Sequence, residues 1–329
     1  MTRNQPGRAG RWRVRAVWLT VWAVAGAGLF WAASGIAWSE VRAALRGASL
    51  SWILLATLLN FCGLPFWALA FRQFIPSGEP RSLPRIAGVL ALTMAAIQSL
   101  SVFAGGAMAA WLLVRRAGMS TGAMISVITL EQVSTGVAKS VIVGVAVLAT
   151  PAPAVLRAAG ATLLTAVGLG LAALVWAAHS GEALRGIAAR AGGGPGRMIA
   201  HFAEWTSHLE TLRRPARFAA GIGFTLVRRS MEVLAAMCIQ QATGIPVSPG
   251  AALLVIAALA IATIIPGPPG NLGIYEAAVV AAYSWSGTGA EIAVAAALLQ
   301  HVAYLIASLV PGYGLFAWWR IRGEPIALR

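Results

Sequence analysis

Six charged side chains interrupt segments of this sequence that are otherwise apolar: Glu131, Lys139, Arg228, Arg229, Glu232 and Glu276. They are three of each sign, a balance that allows mutual neutralisation where an isolated charge would cost at least ~2.5 kcal/mol in hydrocarbon. Arg228 and Glu232 are four residues apart, which puts them on one helix face. Two readings follow. In one, Arg228 pairs with Glu232, Glu131 or Glu276 neutralises Arg229, and the charges only hold helices together. In the other, Arg229 is left to grip a phosphate through its planar fork. Lys139 is expected to snorkel to the outer interface.

A second chemical feature is the run IIPGPPGNLGIYEAA. Pro266, Pro268 and Pro269 remove backbone donors and stop a helix, while Gly267, Gly270 and Gly273 permit tight paths. A new helix is expected to begin near Leu272, its free amides and positive dipole end forming an anion site inside the membrane. Glu276 falls in its first turn, either as a cap or as a functional carboxylate. Two other candidates fall away. His201, Glu204 and His208 share a helical face but have no further ligand, so no metal is expected. The one lysine sits in GVAKS, where Ala138 occupies the glycine position of a nucleotide-binding loop, so neither an ATPase nor any other cofactor is expected.

Whatever positions these groups lies in lipid. Of 329 residues 59% are hydrophobic and 11% charged, against about 45–50% apolar in soluble domains. Runs of about 20 apolar residues, the length of one crossing, recur near 16–38, 49–71, 122–149, 158–178, 218–243 and 292–318. They are continuous, which excludes a β-barrel. The N-terminal run is longer than a signal peptide's apolar core and reads as a retained first helix. Residues 86–114 and 251–285 are too long for one crossing and too short for two, and each is broken by small residues, AGGA at 104–107 and PGPPGNLG at 266–273.

Arginines decide the topology, because cytoplasmic loops collect them. If both interrupted regions return to the side they entered from, nineteen arginines lie inside and only Arg42, Arg46 and Arg157 outside. The expectation is an all-α integral membrane protein, residues 1–329 forming a single polytopic domain. It has six full transmembrane helices plus two broken or re-entrant hairpins, with eight simple transmembrane helices as the alternative. Both termini are expected to be cytoplasmic, in the cell (inner) membrane. The hairpins enter from opposite sides, as an inverted repeat would have them. The basic residues sit in short loops, so the net charge of +15 reports membrane orientation and not nucleic-acid binding. Residues 182–212 read as a cytoplasmic amphipathic segment, with a turn at AGGGPG and Met198, Ile199, Phe202, Trp205 and Leu209 on the apolar face of the helix after it. Cys62 and Cys238 fall in apolar spans and read as packing residues.

The stretch from ATGIPVSPG to IYEAAVVAAY resembles the flippase-like membrane family named for the lysylphosphatidylglycerol synthase transmembrane region. Pro266, Gly270, Gly273 and Glu276 match its late motif, and Asn271 replaces a common glycine. The first half matches through Gly105, Gly106, Arg115, Arg116 and Glu131, with Ala107 and Met108 where an acidic group often follows the glycines. The resemblance implies handling or translocation of a membrane lipid, a phospholipid or isoprenoid-type lipid, with an anionic headgroup. It implies no synthase, because aminoacyl transfer in that family resides in a separate soluble domain, not expected in a chain that ends at Arg329. On this reading Arg229, Glu276, Glu131, Arg228, Glu232, Gly270, Asn271, Gly273 and Pro266 carry lipid binding or translocation. The rival expectations are a noncatalytic membrane partner of a lipid synthase or glycosyltransferase, and an intramembrane lipid-modifying enzyme.

Overall fold

The computed structural model describes residues 35–207, 209–264 and 267–323. Pro266, most of the expected first span and the C-terminal residues 324–329 lie outside the described residues, as do the side chains of Phe202, Glu204, Trp205 and His208. The described residues form twelve α-helices and no strand. In chain order they are α1 (Trp38–Gly47), α2 (Leu50–Phe74), α3 (Leu83–Ser99), α4 (Val102–Arg115), α5 (Thr121–Ala149), α6 (Ala154–His179), α7 (Gly181–Ala191), α8 (Gly193–Ser207), α9 (Pro215–Thr243), α10 (Pro249–Ala262), α11 (Ile274–Trp285) and α12 (Ala290–Ile321).

Length sorts them. The helices α2, α5, α6 and α12 are long and apolar enough to cross a membrane. With 29 residues α9 is as long as α5, but Arg228, Arg229 and Glu232 interrupt its middle. By contrast α3, α4, α10 and α11 have 17, 14, 14 and 12 residues, or about 18–25 Å at 1.5 Å per residue, short of the ~30 Å of hydrocarbon. They pack as two hairpins, α3 on α4 and α10 on α11. Eight simple spans cannot be built from helices this short.

Local chemistry places the ends. Proline opens α3, α9 and α10, where its missing amide costs nothing. Serine side chains cap α4, α5 and α10: Ser101 accepts from Ala104 N at 3.1 Å, Ser120 from Ala123 N at 3.3 Å and Ser248 from Ala251 N at 3.2 Å. The first hairpin reverses at Leu100–Ser101, before the expected AGGA break. Gly105 and Gly106 lie inside α4. A Cβ on Gly105 would stand 3.0 Å from the backbone nitrogen of Ile97 and closer still to its side chain. The glycine is there so that the two arms can touch.

The packing partners correspond between the two halves. The unit α2–α5 maps onto α9–α12: α2 packs on α9, α3 on α12 as α10 on α5, and α2 on α12 as α9 on α5. The central pair runs antiparallel along its whole length, so the two units are inverted. At one end Ser49 N donates to Ala242 O at 3.0 Å. Midway, Gly63 faces Arg228, and at the other end Gly221 admits the ring of Phe74. Pairing of elements thus carries the inverted repeat that hairpin sequences only weakly resemble.

The loops divide between the two ends as the arginine pattern requires. Arg217 and Arg81 donate to the carbonyl of Ile75 at 3.0 and 2.9 Å, and Arg217 to that of Gln73 at 3.0 Å. Arg213 donates through Nε to Ala178 O at 2.8 Å, the Glu79 carboxylate accepts from Ser120 N, and Arg116 lies over Trp319. Arginine here satisfies helix C-terminal carbonyls and favours the negative dipole end. At the opposite end the α5–α6 turn meets the start of α10, where a Cβ on Gly250 would lie 3.1 Å from Thr150. The polar segment is two helices, α7 and α8, turned about Gly192 and Gly193 at φ +57° and +55°. The helix before that turn was not in the expected pattern.

Candidate functional site

The hairpins meet tip to tip. A 3₁₀ turn at Pro269–Asn271 packs against α3, and a Cβ on Gly270 would lie 3.5 Å from the carbonyl of Gln98. Gly270, Asn271 and Gly273 all have positive φ, +68°, +55° and +85°. Glycine takes such angles freely and asparagine tolerates them, whereas a β-branched residue does not. This turn is where the proline-rich motif was expected to break the helix.

Between the tips and the helices α2, α5, α9 and α12 lies a cavity of about 220 Å³. Its walls carry Glu131 and Lys139 from α5, Arg228, Arg229 and Glu232 from α9, Asn271 from the turn, and the aromatic groups Trp67, Tyr275 and Tyr304. A small second lobe of about 40 Å³ opens beside Arg228, Glu232, Trp67 and Tyr304. Each charge sits well inside its helix, Arg228 at the fourteenth of the 29 residues of α9.

The pairing differs from the expected scheme at four places. Glu232 joins both arginines, but its short contact is to Arg229, Nη1 to Oε2 at 2.6 Å, while Arg228 Nε stands 3.7 Å from Oε1. A carboxylate at i+3 meets Arg229 end on, and the side chain of Arg228 instead runs past Gly63 to lay its guanidinium 4.7 Å over the Trp67 ring. Among the described residues the terminal nitrogens of Arg228 hold no hydrogen bond. Glu131 neutralises neither arginine. It accepts from Trp67 Nε1 at 3.0 Å, Thr135 Oγ1 at 3.0 Å and Gln132 Nε2 at 2.9 Å, three neutral donors that satisfy a buried carboxylate in place of a cation.

Lys139 does not snorkel. Its ammonium donates to Thr263 Oγ1 at 3.3 Å on the cavity wall. Glu276 lies behind the cavity and not in it. Its Oε2 accepts from Gly273 N at 2.7 Å, capping its own helix, and Oε1 meets His301 Nδ1 at 2.6 Å. The helix start near Leu272 is therefore engaged by its own carboxylate and offers no ready anion site through the Gly273 amide. Of the expected residues, Arg228, Arg229, Glu232, Glu131 and Asn271 share the cavity; Gly270, Gly273 and Glu276 build the turn beside it.

Sequence reasoning passed over Trp67, Asn60, Gln98, Gln300, Tyr304 and His301. Four of them are amide or imidazole side chains in apolar spans, and polarity at that depth is itself the signal. Gln98 Nε2 donates to Tyr304 OH at 3.2 Å, tying the first hairpin to α12. Among the described residues no cluster of three or more His, Cys, Asp or Glu could hold a metal ion.

A family model described as the lysylphosphatidylglycerol synthase TM region matches residues 18–312. Among curated proteins none matches the chain significantly.

Proposed function

This chain belongs to the lysylphosphatidylglycerol synthase TM-region family, and from that premise we propose that it binds a lipid with an anionic headgroup and carries it across the membrane without an ATPase of its own. The observation behind this reading is the charged cavity between two hairpin tips, in helices that are otherwise apolar. Irregular backbone at membrane depth is tolerated where it lines such a cavity. A headgroup phosphate would lie between Arg228, whose terminal nitrogens are open, and Lys139. The Trp67 face holds the guanidinium in place, and Asn60, Gln98, Gln132 and Asn271 offer neutral partners to the rest of the headgroup. Arg229 and Glu232 are the structural pair beside it. The acyl or isoprenoid chains would stay in the bilayer, so the cavity has only the polar end to hold.

The test is reconstitution of the purified chain in liposomes with a panel of labelled lipids. Anionic phospholipids or isoprenoid phosphates are expected to move between leaflets faster than zwitterionic lipids. Equal rates for every lipid with and without protein would overturn the proposal. In the same reading the arginine-rich end, with residues 72–85, 115–121 and 179–217 and both termini, faces the cytoplasm of the cell membrane. In a background lacking Cys62 and Cys238, an Ala191→Cys variant is expected to resist an impermeant reagent added to whole cells and to react after lysis. Labelling from outside would reverse the orientation.

A further inference from the structure

His301 is buried, 2% exposed, in the middle of α12, and both of its ring nitrogens are engaged. Nε2 lies 2.8 Å from Gly270 O at the tip of the second hairpin, and Nδ1 lies 2.6 Å from Glu276 Oε1 at the start of α11. A carbonyl oxygen can only accept, so Nε2 must carry a hydrogen. A neutral imidazole has one N–H, which leaves Nδ1 with a bare lone pair. An ionised carboxylate has no hydrogen to offer it. Two lone pairs 2.6 Å apart repel, so this geometry requires one further proton between Nδ1 and Oε1. The proton may be drawn on either atom; the count is the same.

The surroundings single this pair out. From α11, Tyr275 stacks on the imidazole with centroids 4.1 Å apart and planes 10° apart, and among the described residues Glu276 is the one carboxylate in contact. From α12 itself Tyr304 stacks on Tyr275. Packed against α12, α3 presents neutral Gln98 and Met94 at this level, and the 3₁₀ turn presents backbone. The Arg228, Arg229 and Glu232 group of α9 lies on the cavity wall with Tyr275 and Tyr304. On α2 the titratable groups are Cys62 and Arg72, and on α1 Glu40, Arg42 and Arg46. Glu276 Oε2 meanwhile caps α11 through Gly273 N. One proton thus holds together the tip, the cap and α12.

We propose that His301 and Glu276 form a proton-binding site that couples lipid movement to proton movement. This rests on the transport reading. Loss of the proton breaks the Nδ1–Oε1 contact and frees the tip that closes the cavity on one side; its return recloses the tip. The balance is one proton taken up and one released per cycle, with no covalent step. At one proton per lipid, each unit of pH difference across the membrane shifts the steady-state distribution of the lipid about tenfold.

Two measurements test this. The first needs no lipid. The full chain with His179, His201 and His208 replaced by glutamine, ¹⁵N-labelled in histidine, is followed by solid-state NMR in liposomes across pH. The expected signal at low pH is an imidazole with Nδ1 and Nε2 both hydrogen-bonded to a proton, giving way at high pH to one with a bare Nδ1. An imidazole with a bare Nδ1 at every pH overturns the site. The second measures lipid distribution in proteoliposomes under an imposed pH gradient, for the wild type, His301→Gln and Glu276→Gln. The wild type is expected to respond about tenfold per unit, and neither variant is expected to respond to the gradient. A wild type that moves lipid indifferently to the gradient overturns the coupling. No lipid movement under any gradient overturns translocation and coupling together, while the nitrogen signals still decide the proton site.

Discussion

Glu232→Gln is expected to lower the stability of the folded chain by about 3 kcal/mol, and Arg228→Gln by less than about 1 kcal/mol. Removing one partner of a buried pair costs about 3–5 kcal/mol because the other charge is stranded. The lower end applies here, since Arg229 and Glu232 are 16% and 14% exposed on the cavity wall. Arg229→Gln strands Glu232 less severely, as Arg228 Nε remains 3.7 Å away. Removing Arg228 leaves the 2.6 Å pair intact. Its loss is expected instead to slow lipid movement about tenfold to a hundredfold, the equivalent of one charged hydrogen bond at about 1.5–3 kcal/mol. Thermal melting in detergent beside liposome transport separates the two effects. If Arg228→Gln melts as low as Glu232→Gln, and its remaining activity tracks the folded fraction, these charges only hold the bundle together.

A Gly312→Val substitution is expected to cost about 3 kcal/mol or more, at the upper end of what overpacking does. A Cβ at this position would stand 2.5 Å from Ala91 O and 2.6 Å from Ala95 Cβ. Neither is the end of a flexible chain, so α12 must part from α3. Gly314, two residues on, has nothing within 4 Å of its own Cβ position. Gly314→Ala is therefore expected to be neutral or to stabilise by up to about 1 kcal/mol through helix propensity. Gly88→Ala on the facing helix meets only Leu315 Cδ2 at 3.0 Å and should be absorbed by a side-chain shift. Expression and melting of the three variants give the order; equal melting of Gly312→Val and Gly314→Ala would mean that α3 and α12 do not pack as described.

How much of this could be read from residues alone follows from what each pattern encodes. The long helices were legible because hydrocarbon thickness fixes their length, and the second hairpin because three prolines near glycines leave no helical alternative. The turn of the first hairpin was not: Gly105 looks like a breaker in a string of letters, and only the position of Ile97 across the gap makes it a contact. The deep charges were legible as a group but not as pairs. Spacing i to i+4 favoured Arg228 with Glu232, and i to i+3 prevailed because Trp67, on another helix, offered Arg228 its ring. Lys139 was expected at the interface because a lysine can reach one, and nothing in α5 announces that Thr263 lies opposite. His301 carries no local motif at all; its partners come from residues 25 and 31 positions earlier.

The meeting of two short hairpins has an electrical consequence. Neither set of arms spans the hydrocarbon, so water that follows each polar tip inward would leave only the contact of Gln98 with the Pro269–Asn271 turn as insulation. The resting potential would then drop over that thin septum and not over the full ~30 Å. Moving one elementary charge through the whole drop is worth ~2.3 kcal/mol per 100 mV. On the proposed transport reading, a headgroup that crossed here with its charge uncompensated would feel nearly all of it, and the voltage across the membrane would then be a driving force for its passage.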